Sequence, residues 1–177
     1  MNEIKNQLLG MLAHEHSKNQ TQAIVNYVGF NVQRFDALVS IFLTGDYDMV
    51  RRASWPLSNA TEKNPKLTKK YLKKIFKYIS DPRQHPAVKR HTLRIFELAE
   101  IPEEFHGELM DECINNILNP SEAVAVQAYS LGILQKLTTQ YSEIKNEVVT
   151  IIESRMPNAS PAFKTRAKKY LKTTAKL

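Results

Sequence analysis

Apolar residues recur at three- and four-residue steps along almost the whole chain, and the two-residue alternation of a half-buried strand is nearly absent. Between Lys66 and Ile79, the residues Leu67, Tyr71, Leu72, Ile75, Phe76 and Ile79 form one stripe. Lys69, Lys70, Lys73, Lys74 and Lys77 fill the remaining faces. Val148, Val149, Ile151 and Ile152 form a comparable stripe from β-branched side chains. The breaks are short and rich in turn residues: Gly45-Asp46, Ser80-Asp81-Pro82, Asn119-Pro120-Ser121 and Asn158-Ala159-Ser160-Pro161. Asp46, Asp81, Ser121 and Ser160 are expected to cap or start the following helices, and Pro161 to fill a first helical position. Long helices joined by short turns predict an all-α fold of antiparallel hairpins. These fall at roughly 1–29, 31–63, 66–100, 103–139 and 142–176.

Four helix starts align after a turn: Val50-Arg51-Arg52-Ala53-Ser54, Val88-Lys89-Arg90-His91-Thr92, Val124-Ala125-Val126-Gln127-Ala128 and Phe163-Lys164-Thr165-Arg166-Ala167. Their first residues lie 38, 36 and 39 positions apart. Each unit has an apolar anchor, a small residue four positions on (Ser54, Thr92, Ala128, Ala167) and a large apolar residue beyond it (Leu57, Ile95, Leu131, Leu171). The anchor packs on the partner helix, and the small residue admits the next hairpin closely.

This pattern resembles the HEAT and armadillo-like repeats, two helices per unit of about forty residues. The match is best at Asp46…Val50-Arg51-x-x-Ser54 and weakest at Ala125, which stands in the basic position. The resemblance implies an α-α superhelix of about five hairpins forming a single repeat domain over 1–177. It also implies that second helices line a concave groove and first helices the convex side. An ordinary single-layer helical bundle with coincidental spacing is the competing architecture.

The composition of the 177 residues, 42% hydrophobic and 24% charged with 5 Gly and 8 Pro, excludes a disordered or low-complexity chain. Charge is segregated. Residues 63–94 carry 11 basic and 1 acidic side chains, net +10; residues 95–163 carry 3 basic and 11 acidic, net −8. Such a dipole can steer a polyanion or an acidic partner, or draw two copies of the chain together. The single cysteine, Cys113, excludes an internal disulfide framework or a multi-thiolate metal site in one chain, and reads as a packed thiol. No apolar run reaches membrane-spanning length. The opening segment has an early acid, Glu3, and does not read as a secretory signal, so a cytoplasmic protein without membrane association is expected.

Catalytic chemistry finds little purchase. His14-Glu15-His16 would place its imidazoles on opposite sides of a helix rather than on one metal. Glu103-x-x-His106 has the spacing of a di-iron ligand pair but lacks a second copy, so it reads as a solvated helix start. Walker, dinucleotide and serine-nucleophile signatures are missing. Neither catalytic, cofactor-binding nor metal-binding residues are assigned.

The candidate binding residues are Arg51, Arg52, Trp55, Lys89, Arg90 and Arg94, all on predicted second helices. Arg51 and Lys89 hold equivalent repeat positions. Two readings stay open: the cations contact phosphates or an acidic peptide, or they pair with an aspartate of a neighbouring unit, Asp46 or Asp81. Trp55 is either core or an exposed aromatic. In the latter case, Trp55 with Arg51 and Arg52 is similar to the groove of HEAT-like DNA alkylpurine glycosylases, although no residue matches the carboxylate those enzymes use. Pro56 is expected to kink or end its helix early and open a notch beside Trp55. The lysines of 66–77 read as a solvated face or as a binding patch. A protein-interaction scaffold for a protein or acidic peptide leads, with a nucleic-acid-binding module using a basic groove as the alternative. Self-association through the acidic 103–122 region is a further option, and the oligomeric state is open.

Overall fold

The computed structural model describes residues 2–175; residues 1, 176 and 177, the outer ends of the first and last predicted hairpins, lie outside the described residues. Among the described residues all regular structure is helical, and no helix is long and apolar enough to cross a membrane. The chain forms two compact units, divided between Ile101 and Pro102.

In the first unit, α1 (Asn2–His14) pairs with α2 (Lys18–Val28), and α3 (Val32–Thr44) pairs with α4 (Tyr47–Lys63). Side-chain caps start three of these helices. Ser17 accepts from the Gln20 amide at 3.1 Å, Asn31 from Arg34 at 2.9 Å and Asp46 from Met49 at 2.9 Å. The α3–α4 turn is tight enough to require glycine, because a Cβ on Gly45 would lie 2.7 Å from the Ile41 carbonyl oxygen and 2.9 Å from Met49 Cβ. Leu8, Phe35, Leu38, Phe42 and Leu57 form the centre of the core.

α4 runs on through Pro56 to Lys63, so the expected early end does not occur. Pro56 forfeits one backbone hydrogen bond, but it and the flanking Ser54, Leu57 and Ser58 are buried, and that packing holds the helix together.

The third hairpin departs most from the periodicity. The expected continuous helix over 66–79 is broken into α5 (Pro65–Thr68), a 3₁₀ turn (Lys69–Tyr71) and α6 (Leu72–Phe76), with turns leading on to α7 (Pro86–Leu98). Lys66, Lys69, Lys70, Lys73, Lys74 and Lys77 repel one another at three- and four-residue spacing, which weakens a straight helix. The stripe still buries Leu72 and Ile75 completely. Tyr78 anchors the segment after α6: its hydroxyl donates to the Leu43 carbonyl at 3.2 Å and the Phe42 carbonyl at 3.4 Å, satisfying the exposed end of α3. Asp81 does not cap α7 but is clasped by Arg83; the cap is His85, whose Nδ1 accepts from Ala87 at 3.1 Å.

The second unit contains α8 (His106–Leu118), α9 (Val124–Thr138), α10 (Lys145–Arg155) and α11 (Pro161–Thr174). Ser160 caps α11 and Pro161 opens it, as expected. Ser121 is not the cap of α9, which begins at Val124 with Ala123 at the cap position and no side-chain cap.

The expected anchor of this repeat is also displaced: Val124 is 46% exposed, whereas Gln127 is buried. Gln127, Leu131, Leu134 and Thr138 repeat the buried spacing of Val50, Ser54, Leu57 and Thr61, so the register is shifted by three residues. A polar anchor is tolerated because the Gln127 amide donates to the Glu122 carbonyl at 2.7 Å and the Asn119 carbonyl at 3.3 Å. In α11 the large inward residue is Tyr170, bonded to Thr138 at 2.8 Å, with Leu171 only half-buried. Cys113 is fully buried. His106, expected in solvent, is buried with Nδ1 3.0 Å from the Tyr141 hydroxyl.

Candidate functional site

The equivalent repeat positions on α4 and α7 bring the predicted cations into one neighbourhood, since these two helices pack side by side in the first unit. Val50 and Val88 point inward, so the residues after them turn to the helix flanks.

At the start of α4, one carboxylate gathers two guanidinium groups. Asp48 Oδ1 accepts from Arg51 at 2.6 and 3.1 Å, and Oδ2 accepts from Arg52 Nε at 2.6 Å. These hydrogen bonds, Arg51 first, hold the Asp48 carboxyl below its ordinary range. The partner is therefore an acid of the same helix, three and four residues back, rather than Asp46 or Asp81, which are occupied elsewhere. Arg52 also donates to the Leu12 carbonyl at 3.0 Å, satisfying an otherwise open group in the last turn of α1.

Trp55 is half-buried, one turn after Arg51. Its ring lies nearly parallel to His91, with centroids 6.1 Å apart at 11°, and edge-on to His16 at 6.0 Å. α1 ends at His14, so His16 leaves the helix to reach the indole rather than pointing from its opposite side.

His91 is buried with Nε2 3.3 Å from Arg90 Nη2 and Nδ1 3.4 Å from Ser58 Oγ. Because guanidinium only donates, Nε2 must accept, and the proton sits on Nδ1, directed at Ser58. Ser58 in turn donates to the Trp55 carbonyl at 2.9 Å. Burial, then the charges of Arg90 and Arg94, push the His91 pKa down to about 3, which keeps the ring neutral. Burial, then Arg51 and Arg52, lowers that of His16 as well.

Arg94 crosses between the helices, donating to Asn59 Oδ1, to Ser58 Oγ at 3.4 Å and to Glu62 at 3.0 Å. Lys89 is half-buried at the position equivalent to Arg51. The six predicted residues thus occupy two adjacent helices. Asp48, His16, His91 and Asn59 complete the network and were not singled out from the sequence. The spacing of Asp48 to Arg51 and Arg52 is that of helical ion pairs, a signal present in the sequence. His16 had no such signal.

The arrangement offers a half-buried indole on a pair of helices that also carries four arginines. It offers no activated nucleophile, because Ser54 and Ser58 donate to carbonyls of their own turns. Among the described residues no group of three potential ligands could hold a metal ion. A cleft of about 320 Å³ in the second unit, lined by Val124, Gln127, Arg155 and Ser160, has its guanidinium engaged: Arg155 donates to the Ile117 carbonyl and to Gln127 at 3.2 Å.

In comparisons with known proteins, the model of the HEAT repeat domain matches residues 8–174. No curated protein and no solved structure matches the chain.

Proposed function

Given that the chain belongs to the HEAT repeat domain family, we propose that it is a non-catalytic interaction scaffold. In this reading the whole chain acts as one repeat domain, and the α4–α7 face docks an acidic segment of a partner protein. The observation that carries this reading is the half-buried Trp55, in ring contact with His91 and His16, on the same two packed helices that carry the ion-paired Arg51, Arg52 and Arg94. Tryptophan and arginine are the residue types that protein interfaces favour. A partner carboxylate can share guanidinium N–H groups that Asp48 and Glu62 leave unused, since each arginine carries five donors. The exposed Asp48 and Glu62 side chains hold the forks in place before the partner arrives, which lowers the ordering cost of binding.

The test is affinity capture from a nuclease-treated lysate with the parent chain, Trp55→Ala, Arg51→Glu and, as a charge control, Lys168→Glu. A partner retained by the parent and the control but lost from both face variants supports the proposal. Equal recovery by all four, or a partner lost on nuclease treatment, sinks it.

A further inference from the structure

A second concentration of positive charge runs from the end of α4 through α6. Residues 63–77 contain seven lysines and no acid. Lys69 pairs with Glu100 at 3.1 Å and Lys70 with Asp36 at 3.0 Å. Lys63, Lys66, Lys73 and Lys74 are exposed and have no hydrogen-bonding or ionic partner among the described residues. Lys77 lies over the Tyr78 ring at 5.0 Å without an acid. Beside α6 the surface dips into a cleft of about 300 Å³ lined by Leu43, Thr44, Lys74 and Lys77, so two of the lysines border one recess.

We propose that this lysine strip is a binding site for the phosphodiester backbone of nucleic acid. Three observations select that ligand. Lysine is depleted in protein–protein interfaces, where arginine and aromatic residues dominate, and the strip offers neither an exposed aromatic nor an arginine. A lipid surface is held by inserted apolar side chains together with charge, yet in this segment Leu72 and Ile75 are fully buried and Leu67, Tyr71 and Phe76 half-buried, so none stands exposed for insertion. The exposed apolar residues of this unit lie elsewhere: Phe30 on the α2–α3 turn, and Val32 and Tyr47 at the first positions of α3 and α4. Flexible ammonium groups without a fixed guanidinium fork suit a ligand that presents repeated charge and needs no shape readout. Binding is therefore independent of sequence and driven by counterion release. The site is distinct from the α4–α7 face and stands or falls without it.

The experiment is fluorescence anisotropy with a labelled mixed-sequence DNA duplex of about 20 base pairs. With four lysines on phosphates, affinity falls about a hundredfold between roughly 50 and 200 mM salt. The triple variant Lys66→Glu, Lys73→Glu, Lys74→Glu weakens binding more than tenfold with an unchanged melting temperature; if it fails to fold, the three Lys→Gln changes replace it and are expected to weaken binding severalfold. Lys168→Glu with Lys169→Glu, on the second unit, leaves most of the affinity intact. No binding at low salt, an unaffected triple variant, or an equal loss in the second-unit variant overturns the assignment. So does an equal loss in Arg51→Ala with Lys89→Ala, which would move the contact to the α4–α7 face. Tight binding to phosphatidylserine vesicles without duplex binding, or competition by polyglutamate as effective as DNA at equal charge, overturns it in favour of a lipid or an acidic protein.

Discussion

Two basic surfaces of the first unit spend their charge differently. On α4 and α7, Arg51, Arg52, Arg90 and Arg94 each donate to an acceptor of the same unit, and two of them cross between helices: Arg52 to α1 and Arg94 to α4. On the strip over 63–77, two of the seven lysines have ionic partners and the rest stand in solvent. A planar fork with several donors can knit a fold and still present an edge, whereas a hydrated ammonium on a flexible stem does little for its own fold. Charge density alone therefore does not locate a structural network or a ligand.

The comparison breaks most sharply with pH. His91 is neutral in the fold, with its pKa lowered to about 3, and regains an ordinary value of 6.5 on unfolding. Its contribution is fully present above pH 6.5 and is lost as pH falls toward 3, because the unfolded chain then binds the extra proton. Urea unfolding is expected to lose a few kcal/mol (order of magnitude) between neutral pH and about pH 4. His91→Gln should remove most of that dependence, and a parallel slope in both proteins would refute the assigned cause. Lysine-strip variants should keep the parent slope.

Next in size is Arg94→Ala, expected to cost about 1–2 kcal/mol because it leaves Asn59 Oδ1 without its donor and removes one of the two donors directed at Ser58. Arg52→Ala, which frees the Leu12 carbonyl, should cost about 1 kcal/mol, measured by the shift in denaturation midpoint at constant slope. The smallest effect belongs to Lys73→Ala and Lys74→Ala, within about 0.5 kcal/mol of the parent. A loss there as large as that of Arg94→Ala would erase the distinction between the two surfaces.

Much of this was legible in the sequence. Helical periodicity and turn residues gave the hairpins, and Val50, Val88 and Phe163 anchor their helices as expected. The failures have local causes. Gln127 replaced the expected Val124 anchor because a buried amide can bond two turn carbonyls, a choice that hydrophobic pattern cannot detect. The helix over 66–79 broke because periodicity registers apolar spacing and not the repulsion among the lysines between. For the candidate site, repeat spacing placed Arg51 and Lys89 on adjacent helices. The His16–Trp55 contact joins residues from separate hairpins, and no local signal encodes it.

The hydroxyl of Tyr78, tied to the end of α3, has a consequence for how such a surface can change over time. It pins the segment from one side, independently of helical continuity through the preceding residues. Individual lysines can then be added, removed or swapped for neutral residues in small steps, each altering attraction for an anion while the chain path stays put. Electrostatic strength in this region is thus tunable by count, like notches on a dial, with little demand on the packing beneath.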